Sequence, residues 1–369
     1  MAVADELRAS GAAVSFLGTR ERIEAELVPA AGYEIDFLEV RGIDRRNPVR
    51  AAHAVGEALV AVGAARRVLR HRDADVVLGG GGYVAGPAGL AALTTGTPLV
   101  LTEADSHLGL ANRLLARRAR RVCLAFPIAG REGEPYLLTG RPVPSAVLGA
   151  DRARARERFG IEPEARCQLV MGGSQGARSI NLAAIEAFAE GGSGPDAELA
   201  RDFHVIHLAG RRDYPELKRR LEMASNEERY TLLEYESDLG DVLAACDLVL
   251  ARSGGSIFEV TAAGRPAILV PYPYATADHQ AANAAWMTEA GAAETIEDAK
   301  LHAAVLAEHV SDLLADDGRL GAMSGASASL ARPDAARRIA DEVLAAAGAS
   351  AASSSAPQVG SDRERRTGA

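Results

Sequence analysis

The stretch Leu248-Val249-Leu250-Ala251-Arg252-Ser253-Gly254-Gly255-Ser256-Ile257-Phe258-Glu259 predicts a buried strand, a glycine turn and the first turn of a helix. An uninterrupted apolar run is typical of a strand that is covered on both faces, as strands of parallel sheets are. In such sheets the turn after the strand lies at the carboxyl edge, where the next helix presents its first backbone N–H groups. This stretch therefore favours a doubly wound α/β fold with a ligand-binding edge.

Apolar runs of strand length recur along the rest of the chain, separated by helical segments. They lie at residues 13–17, 35–40, 74–78, 98–102, 121–125, 167–171, 203–208, 230–234 and 267–270. Such alternation is the pattern of βαβ units. It is interrupted by Gly140-Arg141-Pro142-Val143-Pro144, a stiff and non-helical connection. We therefore predict two domains, 1–147 and 148–347, followed by a disordered tail at 348–369 that is poor in large apolar residues.

Composition limits the class of protein. A length of 369 residues exceeds what a single growing core supports, which agrees with two domains. A formal net charge of −9 argues against nucleic acid as a partner. Cys123, Cys167 and Cys246 are widely spaced, so we expect no disulfide framework, no metal site and no cofactor. The sequence has neither a bilayer-length apolar run nor an export signal, so we expect a cytoplasmic location.

Two further glycine-rich segments follow predicted strands. The run of four glycines at 79–82, followed by Tyr83, would let the chain approach a ligand closely, although a plain tight turn explains it equally well. In the segment 172–178, the backbone N–H groups, the Ser174 hydroxyl and the Arg178 guanidinium all favour a phosphate at a helix N-terminus. A glycine turn with a surface arginine is the alternative interpretation of that segment.

Polar side chains accompany the last two predicted edges. Glu259 lies one helical turn beyond a turn of small residues that would bound a nucleotide diphosphate, and a carboxylate there can accept both hydroxyls of a ribose. A partner for the helix dipole would look the same. Asp278, Gln280 and Asn283 could face one site from the start of a helix, where amides suit sugar hydroxyls. A helix-capping role for Asp278 would require no ligand.

Five segments, taken in order, resemble the MurG family of UDP-N-acetylglucosamine:N-acetylmuramyl-(pentapeptide) pyrophosphoryl-undecaprenol N-acetylglucosaminyltransferases. They are 16–19 with 24–29, 75–78 with 81–87, 172–178 with Asn181, 252–259, and 278–280 with Asn283. The resemblance spans almost the whole chain. Each segment alone is weak evidence, but five in matching order are specific.

The resemblance implies a GT-B fold, in which two Rossmann-like domains face a cleft. It also implies metal-independent, inverting transfer of GlcNAc from UDP-GlcNAc to lipid I by a peripheral protein at the cytoplasmic face of the cell membrane. Arg178 would neutralise the diphosphate and Glu259 would hold the ribose. The donor sugar would meet Gln280 and Arg141, the latter at a position where the family usually has asparagine. The nucleotide would be cradled by Gly254, Gly255, Ser256 and Ile257.

Two departures from the family pattern affect the chemistry. The family's first strand and glycine loop, which carries a histidine proposed to assist the reaction, should precede Ala2, so no general base is assigned. We expect the 369-residue form to have little transferase activity, and residues encoded upstream of Met1 to restore it. The family's His-Glu-Gln-Asn is here Thr-Glu-Ala-Asp at 102–105. Glu103, Asp105 and His107 are hypothetical substitute bases, each explicable also as a binding or capping residue.

A lipid-linked acceptor requires contact with a membrane. Residues 41–72 contain eight arginines against Asp44 and Glu57, with Val55, Leu59 and Val62 between them, so this segment could lie on anionic headgroups or form a solvated helix face. Three other functions fit the same scaffold: a different lipid glycosyltransferase, a UDP-GlcNAc 2-epimerase, and a nucleotide-sugar-binding subunit without catalysis. A nicotinamide dehydrogenase is disfavoured, because no GxGxxG with a following acidic residue occurs.

Overall fold

The first half of the chain contains two separate pieces of parallel sheet. The computed structural model describes residues 1–39, 48–173, 176–190, 203–224, 227–275 and 278–354. One piece pairs β1 (Ser15–Gly18) with β2 (Glu34–Phe37). The other contains four strands in sequential order: β3 (Val77–Gly79), β4 (Leu99–Glu103), β5 (Arg121–Leu124) and β6 (Tyr136–Leu138). No ladder joins β1 to β3 within the described ranges, so each of these strands pairs on one side.

Within the described residues, five α-helices of this half lie around these strands. They are α1 (Ala2–Ala9), α2 (Glu24–Ala30), α3 (Pro48–His71), α4 (Gly82–Thr95) and α5 (Leu110–Leu115); α6 (Ser145–Leu148) follows them and packs on the second half. Helices α3 and α4 cover one face of the four-stranded sheet, where Ala65, Leu69 and Ala91 pack with Leu101 and Val122. The apolar faces of α3 and α4 thereby supply the core of this half.

The second half contains one six-stranded parallel sheet in the order β12-β11-β10-β7-β8-β9. Its strands are β7 (Arg166–Met171), β8 (Phe203–Leu208), β9 (Tyr230–Leu233), β10 (Leu248–Ala251), β11 (Ala267–Leu269) and β12 (Ala293–Thr295). The chain winds outward from β7 in one direction and then from β10 in the other. Strands β7 and β10 are therefore neighbours at the point where the strand order reverses.

Helices cover both faces of this sheet, as a doubly wound fold requires. They are α7 (Arg152–Phe159), α8 (Arg178–Phe188), α9 (Tyr214–Leu221), α10 (Leu239–Ala245), α11 (Ile257–Ala262), α12 (His279–Glu289), α13 (Ala303–Ala315) and α14 (Asp317–Leu330). One core contains Ile180 and Ile185 of α8 with Leu306 of α13. The other, on the opposite face, contains Val242 of α10 and Met287 of α12. The predicted α/β class with parallel sheets is confirmed.

The chain crosses between its halves twice. After the first crossing, at 140–147, Val143 and Val147 pack into a core of the second half. After α14 the chain returns, and α15 (Ala335–Ser354) packs its Ile339 and Val343 against Leu7, Val100 and Cys123 of the first half. The division near residue 147 stays a prediction, but the last helix lies on the first half rather than on the second.

The predicted disordered tail needs a correction at its start. Helix α15 continues to Ser354, six residues beyond Gly348, because the Ala-rich sequence there favours helix. Residues 355–369 lie outside the described ranges. Among the helices that are described, none is both long and apolar enough to cross a bilayer.

Candidate functional site

The candidate site lies at the carboxyl edge of the six-stranded sheet, where β7 and β10 meet. The loops 172–177 and 252–256 follow these two strands. After each of them the chain continues toward a different edge of the sheet, so both loops lie where the strand order reverses. In open α/β sheets this reversal opens a crevice in which ligands bind. Both predicted phosphate and nucleotide loops are therefore brought to one crevice.

The loop after β7 coils back tightly upon itself. A Cβ on Gly172 would lie 2.2 Å from the Ala177 nitrogen, and a Cβ on Gly176, whose φ is +73°, would lie 2.4 Å from the Ala209 carbonyl oxygen. Only glycine fits at such close approaches. The loop delivers the chain to the first turn of α8, as the sequence predicted. Ser174, expected to offer its hydroxyl to a phosphate, lies outside the described residues.

Arg178, the first residue of α8, already has carboxylate partners. Its Nη1 lies 2.8 Å from Glu216 Oε2 and 3.3 Å from Asp213 Oδ1, while its side chain stays 49% exposed. Its charge is therefore compensated by protein carboxylates. A diphosphate bound here would have to share or displace the Glu216 contact, so the predicted role of Arg178 remains a prediction.

A buried chain of hydrogen bonds lies beneath Arg178. Asn181 Nδ2 donates to Asp213 Oδ2 at 3.0 Å, and Asn181 Oδ1 lies 3.0 Å from His207 Nε2, whose Nδ1 lies 2.7 Å from the Tyr230 hydroxyl. Burial lowers the pKa of His207 to about 3, so the ring is neutral. Burial alone would raise the pKa of Asp213, but hydrogen bonds from Arg212, Asn181 and Arg178 together outweigh it, so that pKa is lowered. The chain thus holds an ionised Asp213 beside Arg178.

The loop after β10 lies against an arginine from the first crossing. A Cβ on Gly255 would lie 2.4 Å from Arg141 Nη1 and 2.8 Å from its Cζ, so this guanidinium rests directly on the glycine backbone. Gly254, Ser256 and Ile257 continue the turn into α11, with Ile257 fully buried. The structure therefore brings Arg141 together with the loop that the sequence assigned to the nucleotide.

Glu259 lies in the first turn of α11 beneath this loop. Its Oε2 is buried and has no hydrogen-bond partner among the described residues. Burial raises the pKa of Glu259, while its own backbone N–H and Arg141 oppose that rise. A buried oxygen without a partner is costly unless a ligand supplies a donor. This orphaned oxygen is suited to a donor such as a ribose hydroxyl.

The start of α12 is tied to the loop after β10. Ser253 Oγ donates to the Gln280 carbonyl at 2.7 Å, and Asn283 Nδ2 donates to the Ser253 carbonyl at 3.0 Å. Gln280 Oε1 accepts from the Tyr272 N–H at 2.9 Å, while its Nε2 lies 4.0 Å from where a Cβ on Gly254 would be. Asn283 therefore supports the loop, and Gln280 turns its amide nitrogen toward the glycine turn.

Asp278 does not cap α12. It occupies the N-cap position in the left-handed region at φ 54°, and its carboxylate makes no capping hydrogen bond. The capping interpretation of Asp278 is therefore wrong. Non-glycine residues rarely adopt this left-handed conformation, and those that do cluster at functional sites.

Arg252 joins loops that the sequence treated separately. Its Nη1 lies 2.6 Å from Asp298 Oδ1 and donates to the Val270 carbonyl at 3.0 Å, and its Nη2 donates to Ser179 Oγ at 2.8 Å. The sequence motif contains Arg252, but its local pattern indicates no role for that residue. Asp298 lies after β12, and nothing local in the sequence distinguishes it from a surface acid.

The loop after β4 contains the three hypothetical bases. Glu103 is buried; its Oε2 accepts from the Gly109 N–H at 2.8 Å and from Asn112 Nδ2 at 2.9 Å, and its Oε1 accepts from the Asp105 N–H at 3.3 Å. Both oxygens are thus committed to organising the loop, which favours the structural interpretation of Glu103. Asp105 is exposed and His107 is half-buried at the same carboxyl edge.

Comparisons with known proteins agree with this arrangement. Residues 1–124 match the glycosyltransferase family 28 N-terminal domain, and residues 168–339 match its C-terminal domain. The chain is 38% identical to the UDP-N-acetylglucosamine--N-acetylmuramyl-(pentapeptide) pyrophosphoryl-undecaprenol N-acetylglucosamine transferase of Moorella thermoacetica, over 90% of this chain and 91% of the relative. The protein with the same name from Rubrobacter xylanophilus is 39% identical, over 93% and 98% of the two chains.

Solved structures are similar over comparable lengths. The crystal structure of MurG from Acinetobacter baumannii superposes with a TM-score of 0.73 at 27% identity, covering 93% of this chain and 94% of that one. The calicheamicin glycosyltransferase CalG4 superposes with a TM-score of 0.68 at 19% identity, which indicates the fold alone. The predicted GT-B architecture is confirmed.

Proposed function

The chain belongs to glycosyltransferase family 28, and we propose that it transfers N-acetylglucosamine from UDP-N-acetylglucosamine to the N-acetylmuramyl-pentapeptide of a pyrophosphoryl-undecaprenol carrier, lipid I. The observation that carries the proposal is an identity of 38–39% to transferases of that name over at least 90% of this chain. The product would be lipid II, the disaccharide-lipid precursor of peptidoglycan.

The donor binds in the crevice between β7 and β10 in this proposal. Glu259 accepts the ribose hydroxyls with the oxygen that has no protein partner. Gly254, Gly255, Ser256 and Ile257 shape the nucleotide cradle, and Gln280 directs its amide nitrogen, which bonds to none of the described residues, to the donor sugar. Arg178, at the start of α8, faces the diphosphate, and Arg141, which rests on Gly255, meets the donor sugar beside Gln280.

Inverting transfer needs a stabilised leaving group and a base for the acceptor hydroxyl. As the bond to the sugar breaks, negative charge grows on UDP, and in this proposal Arg178 and the backbone N–H groups at the start of α8 stabilise it. Asp105 and His107 remain the hypothetical bases, since both carboxylate oxygens of Glu103 already accept hydrogen bonds. Substituting each of the two with alanine in an active form tests that assignment.

Product analysis tests the activity itself. An active form of the protein incubated with UDP-N-acetylglucosamine and lipid I should form a lipid-linked disaccharide with an inverted, β-configured linkage and release UDP. Donor consumed without a disaccharide, or donor converted to its 2-epimer, would replace the proposal with another activity on the same fold.

The donor-sugar contact can be tested separately from the nucleotide contacts. Gln280→Ala should weaken binding of UDP-N-acetylglucosamine more than binding of UDP, because only the former carries the sugar that Gln280 would meet. Glu289→Gln, an exposed change at the end of the same helix, is the matched control and should alter neither affinity. If Gln280→Ala weakened the binding of both ligands equally, the proposal that Gln280 contacts the donor sugar would be wrong.

We further propose that the first half lies on the cytoplasmic face of the membrane through α3 and α5. Leu59 and Val60 of α3 are 68% and 74% exposed, and Leu114 of α5 is 71% exposed. Arg113 and Arg117 are exposed beside Leu114. Exposed apolar side chains bordered by arginines suit an anionic bilayer surface.

The basic segment at 41–72 is described only in part, so its contact with lipid stays a prediction. Arg41, Arg45 and Arg46 lie outside the described residues. Arg72 pairs with Asp36 at 3.0 Å and also with Glu34, which removes it from the proposed lipid-facing set. Val62, expected beside Leu59, packs instead against the core of the first half.

Vesicle sedimentation tests the membrane surface. Leu59→Asp combined with Leu114→Asp should release the protein from phosphatidylglycerol-containing vesicles, because two charges would have to enter the headgroup region. Met223→Asp, at an 81% exposed methionine of the second half, is the matched control and should leave vesicle binding unchanged. Retention of the double variant on vesicles would refute this surface.

A further inference from the structure

Arg252 occupies a place where a phosphate-binding arginine would be expected, yet its side chain is committed to protein partners. It follows β10 directly and begins the glycine loop of the candidate donor site. The side chain is only 11% exposed, and Asp298, its ion-pair partner at 2.6 Å, is 24% exposed. Because its charge is compensated and both terminal nitrogens donate to protein acceptors, Arg252 is not available to a diphosphate.

The partners of Arg252 come from separate segments that converge on the crevice. Nη2 donates to Ser179 Oγ in the first turn of α8, and Nη1 donates to the carbonyls of Val270 at 3.0 Å and Pro271 at 3.3 Å, which follow β11. Asp298 Oδ1 also accepts from Ser179 Oγ at 2.6 Å, and this closes a triangle of contacts. The guanidinium carbon lies 5.5 Å from the centre of the Tyr272 ring.

Each segment held in this way carries a proposed donor contact. Ser179 follows Arg178, which faces the diphosphate in the proposed function. Arg252 itself begins the loop that leads to Glu259. The 270–272 segment places the Tyr272 N–H against Gln280 Oε1 at 2.9 Å. A single side chain therefore sets the spacing between the phosphate, ribose and sugar contacts.

We propose that Arg252, with Asp298, is a positioning residue that holds the three donor loops in register and so controls nucleotide affinity without touching the nucleotide. This inference rests on the proposed donor site. The planar guanidinium serves it better than lysine would, because its fork holds a carboxylate, a hydroxyl and two carbonyls at once. A misplacement of about 1 Å, caused by a change away from the reacting atoms, can cost a reaction about 100-fold in rate, and groups that bind a nucleotide depend on their placement in the same way.

Titration calorimetry with UDP and with UMP tests the inference on the full chain. Arg252→Met should weaken binding of UDP and of UMP by a similar factor of about 10 or more. Arg252→Lys, which keeps the charge but not the fork, should be intermediate, and Asp298→Asn should also weaken both. A much larger loss for UDP than for UMP would identify Arg252 as a direct phosphate ligand and would overturn the positioning role.

A matched control lies at the opposite edge of the same sheet. Arg152 also binds one aspartate, Asp247 at 2.5 Å, and backbone carbonyls, those of Ala244 at 3.2 Å and Cys246 at 3.1 Å. Arg152→Met should therefore lower the melting temperature but leave UDP affinity unchanged. If Arg252→Met fails to fold, Arg252→Lys and Asp298→Asn decide the question.

The failure of this inference is distinguishable from failure of the donor site. If the unaltered protein does not bind UDP, the proposed donor site is absent. If it binds UDP, and the Arg252→Lys and Asp298→Asn variants bind UDP equally well, only the positioning role is overturned. In the active enzyme the same variants should raise KM for the donor while changing kcat much less.

Discussion

At the scale of single residues, the proposed donor site predicts that Glu259 couples protonation to donor binding. The ionised carboxylate accepts hydroxyls, and burial raises its pKa, so protons compete with the ribose as the pH falls toward that raised value. We predict that affinity for UDP-N-acetylglucosamine decreases from pH 7 toward pH 5, by up to about ten-fold per unit once the pH lies below the raised pKa. This nucleotide sugar is the suitable probe, since its diphosphate diester does not titrate in that range.

Glu259→Gln provides the control for that titration. The variant should bind more weakly at pH 7, and its affinity should depend less on pH, because the titrating group is gone. Parallel pH profiles for the variant and the unaltered protein would show that Glu259 does not face the ligand.

His207 makes a prediction about stability. Its pKa is about 3 in the folded protein and about 6.5 when unfolded, so below pH 6.5 the unfolded chain takes up a proton that the folded chain excludes. The resulting loss of folding free energy grows as the pH falls, to about 2 kcal/mol at pH 5.

Urea unfolding at pH 7 and pH 5 checks the His207 prediction. His207→Gln should be less stable at pH 7, because Tyr230 and Asn181 lose their ring partner. Its stability should nevertheless fall less between the two pH values. If the stability lost between pH 7 and pH 5 were the same for His207→Gln as for the unaltered protein, the prediction for His207 would be wrong.

Residue roles were predictable from the sequence only where local pattern determines them. The glycine turns at 172–176 and 254–255 follow strands, so their place at the carboxyl edge follows from βαβ winding. The compensation of Arg178 by Asp213 and Glu216 depends on a segment 35 or more residues away. The ion pair between Arg252 and Asp298 joins residues 46 positions apart in the chain, and no local pattern encodes such distant pairing.

At the scale of elements, α7 is fixed to the amino edge of the second sheet by Arg156. Its guanidinium is buried, bonds the carbonyls of Ala245, Glu162, Pro163 and Ala165, and lies 2.9 Å from Asp247 Oδ2. We predict that Arg156→Met lowers the free energy of unfolding by about 3–5 kcal/mol, because it leaves a buried carboxylate and several carbonyls under-satisfied.

Chemical denaturation of Arg156→Met beside Arg152→Met measures the effect. Arg152 binds the same aspartate but is 39% exposed, so its loss should cost clearly less. Equal costs for the two variants would mean that burial does not set the energy of these pairs.

Within the described residues, the strands that the sequence does not predict are short edge elements. The bounds predicted for 203–208 and 248–251 match those observed, because strands covered on both faces are mostly apolar, and 248–251 is apolar throughout. Strands β6 and β12 were missed. Each has three residues, and Ala293-Glu294-Thr295 contains two polar residues that an edge strand tolerates on its exposed side. Length and periodicity carry too little signal in three residues.

At the scale of the whole molecule, the two crossings between the halves touch each other. Gly140 has φ +81°, and a Cβ placed there would lie 2.4 Å from Arg332 Cβ on the returning segment. We predict that Gly140→Ala destabilises the protein by about 1–3 kcal/mol from backbone strain, with a further loss from the collision. Gly130→Ala, at φ +73° with open space around it, isolates the strain alone. Equal melting temperatures for the two variants would exclude the collision.

Chain order predicts that the last helix belongs to the second half. The amphipathic pattern of this helix does not reveal which surface it covers. The core formed by Ile339, Val343 and Leu7 shows that the surface belongs to the first half. Chain order predicts contacts well within a βαβ unit and poorly for an element that returns across the molecule.

The contact between Gly140 and Arg332 also bears on how the cleft can open. A domain joined to another by one connecting segment can rotate about many axes. Two connecting segments that lie side by side define one axis and permit rotation about it. Opening and closing over a substrate is thereby reduced to something near a single mechanical degree of freedom. The two faces would then return to the same alignment on every cycle.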